Sequence, residues 1–221
     1  MTTVYHILRT IAKLILGRGV RTSYGQFGED AVVQAMLKSR EGFYVDVGAF
    51  DPVLYSNTYA LYRRGWSGIV IDPNSDLSPL YRIFRPRDTF VHAAVGSGEA
   101  GTFFRFGDAS YNTFNENDAR RWQEERHVQL VGTETIHFRP LREILQELRV
   151  ERIDFMNIDV ESMDLAVLES HDWSVRPHVI AIEDTGFDAD APMRSRIYAA
   201  LREKGYRLRG FACQTLIFAD S

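Results

Sequence analysis

Five short apolar runs constrain the fold more than anything else in this chain: FYVDV (43–47), GIVID (68–72), TFVHAAV (89–95), IDFMNIDV (153–160) and HVIAIED (178–184). They are rich in β-branched and aromatic residues and too short for buried helices, so they read as strands. Stretches with helical periodicity separate them, among them SNTYALYRR, SPLYRIF, LREILQEL and a helix from about Met163 to Ser170. Ser56 is expected to cap the first of these. Alternation of this kind implies a mostly parallel sheet covered by helices on both faces. The C-terminal YRLRGFACQTLIFAD breaks the rhythm with two strands and no helix between them. An antiparallel strand slotted into the parallel sheet is therefore expected, for seven strands in all. Before that closing pair, PMRSRIYAALREKG is expected to start a helix at Pro192 and end it at Gly205.

The 221 residues show no repeat, low-complexity tract or Pro/Gly linker, so one domain over 24–221 is expected behind an N-terminal segment, 1–23. A net charge of −4 argues against general nucleic-acid binding, which needs basic surface to neutralise phosphates. The single cysteine, Cys213, excludes an internal disulfide and a cysteine-cluster metal site, and a reducing, cytoplasmic setting is the default. Residues 1–23 hold Arg9, Lys13, Arg18 and Arg21 and no acidic residue, with Val4, Ile7, Leu8, Ile11, Leu14 and Ile15 at helical spacing. Charges interrupt any signal-peptide core, and no 18-residue apolar run exists for a membrane span. The preferred reading is an amphipathic helix that covers the protein's own core; the alternative is a helix on an anionic membrane or a partner.

In open sheets of this type the ligand sits beyond the carboxyl ends of the strands. Asp46, Asp72, Asp159, Glu183 and Asp184 all lie there. After the first strand comes DVGAFDP, with Gly48 where a dinucleotide fingerprint needs three glycines; Ala49 and Asp51 occupy the later positions. A carboxylate at a phosphate seat repels the ligand. S-adenosylmethionine (SAM) has no phosphate and carries an ammonium, a sulfonium and a ribose, so an acidic strand end with one close-approach glycine suits it better. Asp72, closing IVIDPN, is placed to accept from ribose hydroxyls. Taken alone, the loop is also a simple capped turn.

YGQFGED (24–30), FYVDVGAFDPVLYSNTYALYRRGWSGIVIDPN (43–74), HAAVGSGEAG (92–101) and IDFMNIDVESMDLAVLES (153–170) together resemble the FkbM family of SAM-dependent methyltransferases. The resemblance implies a class I (Rossmann-like) methyltransferase fold, a mostly parallel seven-stranded sheet with one antiparallel strand and helices on both faces. It also implies SAM as cofactor and O-methylation of a sugar or other small hydroxyl-bearing molecule. Carried over by position, Gln26, Asp46, Gly48, Ala49, Ser56, Asn57, Asp72, Pro73 and Asn74 are the cofactor-binding candidates. Ser162 follows Glu161 where the family often has glycine.

Asp159, Glu183 and Asp184 end adjacent strands that lie about 4.8 Å apart, so their carboxylates are expected to converge. A divalent cation such as Mg²⁺, Ca²⁺ or Mn²⁺ relieves the repulsion of three carboxylates and acidifies a bound hydroxyl. Their spacing, 24 and 25 residues from Asp159, resembles the set in metal-dependent sugar and macrolide O-methyltransferases. The same side chains can instead cap the next loop or pair with arginine. For the proton, Asp159 and Glu161 are the catalytic candidates, and His92, His127, His137, His171 and His178 are read as structural. The polar stretch 107–135 is an expected acceptor lid. Within it Tyr111, Phe114 and Trp122 can stack on a sugar ring, although Trp122 is preferred as a helix anchor.

Two other function classes share this sheet. A nicotinamide oxidoreductase fails on the glycines and on the missing Tyr-x-x-x-Lys pair, since YAALR ends in Arg202. A catalytically silent SAM-binding protein would be expected to lose the acidic strand ends, which are intact here.

Overall fold

The computed structural model describes residues 2–15 and 22–220. Its strands are β1 (Phe43–Val47), β2 (Ser67–Asp72), β3 (Thr89–His92), β4 (Ala94–Val95), β5 (Ala100–Phe106), β6 (Leu130–Arg139), β7 (Ile153–Ile158), β8 (Pro177–Glu183), β9 (Arg207–Ala212) and β10 (Thr215–Ala219). The helices are α1 (Thr2–Ile15), α2 (Glu29–Met36), α3 (Tyr59–Arg63), α4 (Ser78–Phe84), α5 (Glu116–Glu125), α6 (Leu141–Glu147), α7 (Asp164–Glu169) and α8 (Arg196–Glu203).

Seven strands form the main sheet in the order β3-β2-β1-β7-β8-β10-β9. β10 runs antiparallel to both β8 and β9, and the other pairings are parallel. The mixed sheet expected from the helix-free C-terminus is therefore present. The chain winds outward from β1 through β2 to β3, then returns to β7 on the other side of β1. That reversal leaves a crevice between the loops after β1 and β7, where such sheets hold ligands.

Side-chain alternation along each strand separates the core into two layers. Val45 and Val47, Ile69 and Ile71, Met156 and Ile158, and Ile180 and Ile182 pack under Leu141, Ile144, Val167, Leu168, Ile197 and Leu201 of α6, α7 and α8. Tyr44, Val70, Phe155, Val179 and Ala181 face the other way, against Val33, Leu61, Tyr62 and Tyr81 of α2, α3 and α4. Because both faces are buried, the strands read as continuous apolar runs instead of alternating ones.

The expectations need adjusting in four places. TFVHAAV is split, with β3 in the main sheet and β4 in a second, three-stranded sheet of order β4-β6-β5. β6 starts at Leu130 and pairs antiparallel with β5, so the irregular part of the expected lid shrinks to about 107–129. Pro192 opens a 3₁₀ turn, and the helix proper begins at Arg196, where Ser195 accepts from the Tyr198 amide as N-cap. A proline favours a first turn, but a side-chain acceptor satisfies the helix's free amides better.

The fourth concerns the N-terminus. α1 forms as predicted, yet it does not cover the core: Val4, Ile7, Leu8, Ile11 and Ile15 are all exposed. The sheet's two faces are already filled by the helices α2–α4 and α6–α8. Arg18 and Arg21 lie outside the described residues. No helix among the described residues is long and apolar enough to cross a membrane.

Candidate active site

The loops after β1, β2, β7 and β8 enclose a cavity of about 990 Å³, ample for a nucleoside-sized ligand and an acceptor together. Its floor is the carboxyl end of the sheet. The β5–β6 connection, with α5, forms its far wall.

Six of the nine cofactor candidates line it: Gln26, Gly48, Asn57, Asp72, Pro73 and Asn74. Asp72 is held by two amides, Asn74 N to Oδ1 at 2.7 Å and Phe50 N to Oδ2 at 3.2 Å. Each oxygen keeps a lone pair. Burial raises the Asp72 carboxyl to about 6, against the pull of those two amides. Asn57 donates from Nδ2 to Asn157 Oδ1 at 3.1 Å, while its own Oδ1 is buried with no partner. An orphaned acceptor at the cavity wall is costly unless a ligand donor meets it.

The other three, Asp46, Ala49 and Ser56, lie beneath the wall and serve its framework. Asp46 sits opposite Asn157 in the β1–β7 register. Strand alternation turns it toward the α2–α4 layer, where it accepts from Thr58 Oγ1 at 2.5 Å and Asn157 Nδ2 at 2.9 Å. Burial raises its carboxyl and the Arg85 guanidinium opposes that. Ala49 O accepts from Tyr81 OH at 2.7 Å. Ser56 Oγ accepts from the Tyr59 amide at 3.1 Å and from Arg85 at 3.2 Å, but it is not the N-cap expected: α3 begins at Tyr59 and Thr58 holds the cap position, so Ser56 ties the preceding turn to the helix.

Arg85 gives the loop its foundation, and nothing in the sequence marks it. It is fully buried, paired with Asp88 at 2.6 Å, and bonded to Tyr44 OH, Thr58 Oγ1 and the Pro52 carbonyl. Its guanidinium lies 5.2–5.4 Å from the ring centroids of Tyr44, Tyr62 and Tyr81. A dry cation in an aromatic cage with its hydrogen bonds satisfied is a rigid support. An R-P-R-D stretch after a short helix looks like solvated surface, so only the tertiary fold reveals it.

Gly48 is required by packing. It has φ +80, and a Cβ there would sit 1.7 Å from the Asp159 carbonyl oxygen. The close approach expected at this glycine is thus made by the next loop of the same chain. The Asp159 amide in turn donates to the Val47 carbonyl at 2.9 Å, so the loops after β1 and β7 lock together.

Asp159, Glu161 and Glu183 all line the cavity. Burial, with Glu183 nearby, drives the Asp159 carboxyl well above its ordinary range. Glu183 rises to about 8, first through burial and then through Glu161 and Asp164. Glu161, exposed at the rim, is raised by partial desolvation and by Asp118, against Arg121. Of the carboxylates expected to converge at the ends of β7 and β8, Asp159 and Glu183 therefore do, with Glu161 beside them at the rim. The convergence does not extend to Asp184, which leaves the cavity wall and accepts from Ser195 Oγ at the head of α8. Consecutive residues at a strand end point in different directions, so Glu183 and Asp184 do not share one volume. Among the described residues no three His, Cys, Asp or Glu side chains are grouped to hold a metal ion, and the expected trio is not assembled.

No histidine lines the cavity among the described residues. His171 is buried beside Trp173, with ring centroids 5.0 Å apart, and burial lowers its pKa. On the far wall Tyr111 and Trp122 meet edge to face at 5.6 Å, and Arg121 lies over Trp122. Trp122 is half-buried on the cavity wall, and the small, buried Ala119 anchors α5 in the place expected for the tryptophan. Ser162 has φ 75 and Glu161 φ 50, the left-handed backbone in which glycine is favoured. The loop keeps the shape that a glycine would give.

Residues 46–208 match the methyltransferase FkbM domain family. No curated protein matches the chain. Among solved structures, a TehB-like SAM-dependent methyltransferase from Corynebacterium glutamicum aligns over 100% of this chain and 98% of its own, at 13% identity and a TM-score of 0.41.

Proposed function

This chain belongs to the FkbM methyltransferase domain family, and from that premise we propose that it methylates a hydroxyl of a sugar or sugar-containing small molecule. As a SAM-dependent methyltransferase it uses a cofactor that supplies, when bound, a methyl group made electrophilic by its sulfonium. The cavity suits that molecule. Asp72 has lone pairs for two vicinal ribose hydroxyls, Asn57 Oδ1 lacks a donor, and the acidic wall favours a cation. Gln26, Pro73 and Asn74 complete the set that would hold it.

One observation carries the choice of a hydroxyl acceptor: Asp159, Glu161 and Glu183 face the same cavity with raised proton affinity. A hydroxyl must shed its proton as its oxygen is alkylated, and a carboxylate raised toward neutrality takes that proton well. Glu183, at about 8, is poised to do so, with Asp159 behind it and Glu161 at the rim. The far wall supports a ring-shaped acceptor. Tyr111 and Trp122 offer apolar faces, and Arg126, Asn112 and Asn115 offer polar contacts beside them.

The test is transfer of labelled methyl from SAM to a panel of glycosides, with the product located by mass spectrometry. Glu183→Gln and Glu161→Gln are each expected to lower kcat by 10²-fold or more, about the usual worth of a positioned base. Methylation at nitrogen or carbon, or undiminished transfer by both variants, contradicts the reading.

A further inference from the structure

Among the described residues nothing covers the apolar face of the amphipathic helix α1. Val4, Ile7, Leu8, Ile11 and Ile15 recur at intervals of three and four, so they share one face of the helix, and they are 46–79% exposed. Tyr5, 63% exposed, flanks them. Arg9 and Lys13, also four apart, stand on the opposite face with His6. A stripe of this size, left open on a soluble domain whose core is otherwise closed, marks a docking surface.

The charge on the helix selects the occupant. A helix N-terminus ordinarily favours acidic residues in its first turn, and here there is none. Indeed none of the chain's 30 acidic residues falls within 1–23, whereas four of its 26 basic residues do. The remainder of the chain is accordingly net acidic. Negative charge has thus been kept out of an element that presents a long apolar face, in a protein that is acidic elsewhere. A surface that is both apolar and anionic meets both requirements. At about 1.5 Å per residue, 14 residues span about 21 Å, too short to cross a bilayer but long enough to lie within its interface.

We propose that α1 anchors the protein to the surface of an anionic membrane, its apolar stripe set into the acyl boundary and Arg9 and Lys13 among the headgroups. The cavity is built entirely from residues outside α1, so attachment leaves the site free to work beside the bilayer.

The test is co-sedimentation of the full chain with vesicles of phosphatidylcholine alone and of phosphatidylcholine with phosphatidylglycerol. Binding to the anionic vesicles is expected to be at least about tenfold tighter, and to weaken strongly in 0.5 M salt. The double substitution Ile7→Asp/Ile11→Asp is expected to abolish it while leaving SAM binding unchanged, which shows that the variant folds. Equal binding to both vesicle types, no binding, or binding kept by the double variant overturns the proposal. So does a concentration-dependent dimer that the same double substitution dissolves, because the stripe would then belong to a second copy.

Discussion

The carbonyl oxygen of Asp159 occupies the space beside Gly48 where a side chain would begin, 1.7 Å from the position of a Cβ. Neither partner in that contact is free to move. Gly48 N donates to the Ile71 carbonyl, and Asp159 N donates to the Val47 carbonyl. The contact sets the distance between the Asp72 side of the cavity and its acidic side. Gly48→Ala is therefore expected to cost about 3 kcal/mol or more in stability, through backbone displacement and a positive φ, and to weaken SAM binding at least tenfold. Urea denaturation and isothermal titration check the two parts separately.

Arg85 supports the loop from below. Removing its charge leaves the fully buried Asp88 unpaired and takes donors from Ser56, Thr58 and the Pro52 carbonyl. Breaking one side of a buried pair costs about 3–5 kcal/mol. Arg85→Met is expected to lower stability by that amount in urea, with Arg85→Lys recovering only part, because an ammonium cannot span the same acceptors.

The acidic wall predicts how the free protein responds to pH. Glu183 rises from 4.5 to about 8, Asp164 from 3.8 to about 7 and Asp72 from 3.8 to about 6. Between the ordinary and the folded values the native state holds protons that the unfolded chain has released, so stability falls as pH rises through that window. His171, lowered from 6.5 by burial, acts in the opposite sense and only below its ordinary value. From pH 6.5 to 8.5 the melting temperature is therefore expected to drop, and Glu183→Gln to flatten the slope. A melting temperature that climbs over this range in the wild type contradicts the assignment.

Ser162 holds φ 75 directly after Glu161 at φ 50. A non-glycine residue there costs about 1–2 kcal/mol, and glycine returns about 0.5–1 kcal/mol of that as chain entropy. Ser162→Gly is expected to stabilise the protein by about 0.5 kcal/mol, a rise of about 1–2 °C in melting temperature. The exposed bond from Ser162 Oγ to Asp118, at 3.2 Å, is worth little against this.

The sheet was legible because strands buried on both faces are predominantly apolar, as FYVDV, GIVID, IDFMNI and HVIAIE are. The antiparallel β10 followed from the missing helix before TLIFA. What stayed hidden was the direction of individual side chains. Asp46 and Asp72 project to the same face of the sheet, but Asp46 stands one residue short of the end of β1 and is covered there by Thr58 and Asn157, whereas Asp72, the last residue of β2, reaches the cavity wall. Glu183 and Asp184 diverge because consecutive residues at a strand end point to opposite sides. Arg85 is buried against Tyr81, one helical turn before it, and against Tyr44 and Tyr62, far away in sequence; contacts with the latter two have no local signature, so Arg85 was invisible. Amphipathicity showed that α1 has an apolar face; only the packed structure shows that the face is left uncovered.

SAM is expected to bind in the cavity above β1 and β2, with Asp72 gripping its ribose. Isothermal titration of SAM into the wild type and Asp72→Ala at pH 8, with thermal melting as a control for folding, tests it most directly. One site per chain is expected, with a loss of affinity of at least about tenfold in the variant, the worth of charge-assisted hydrogen bonds to a carboxylate. Equal affinity in a folded Asp72→Ala protein, or no binding by the wild type, contradicts it.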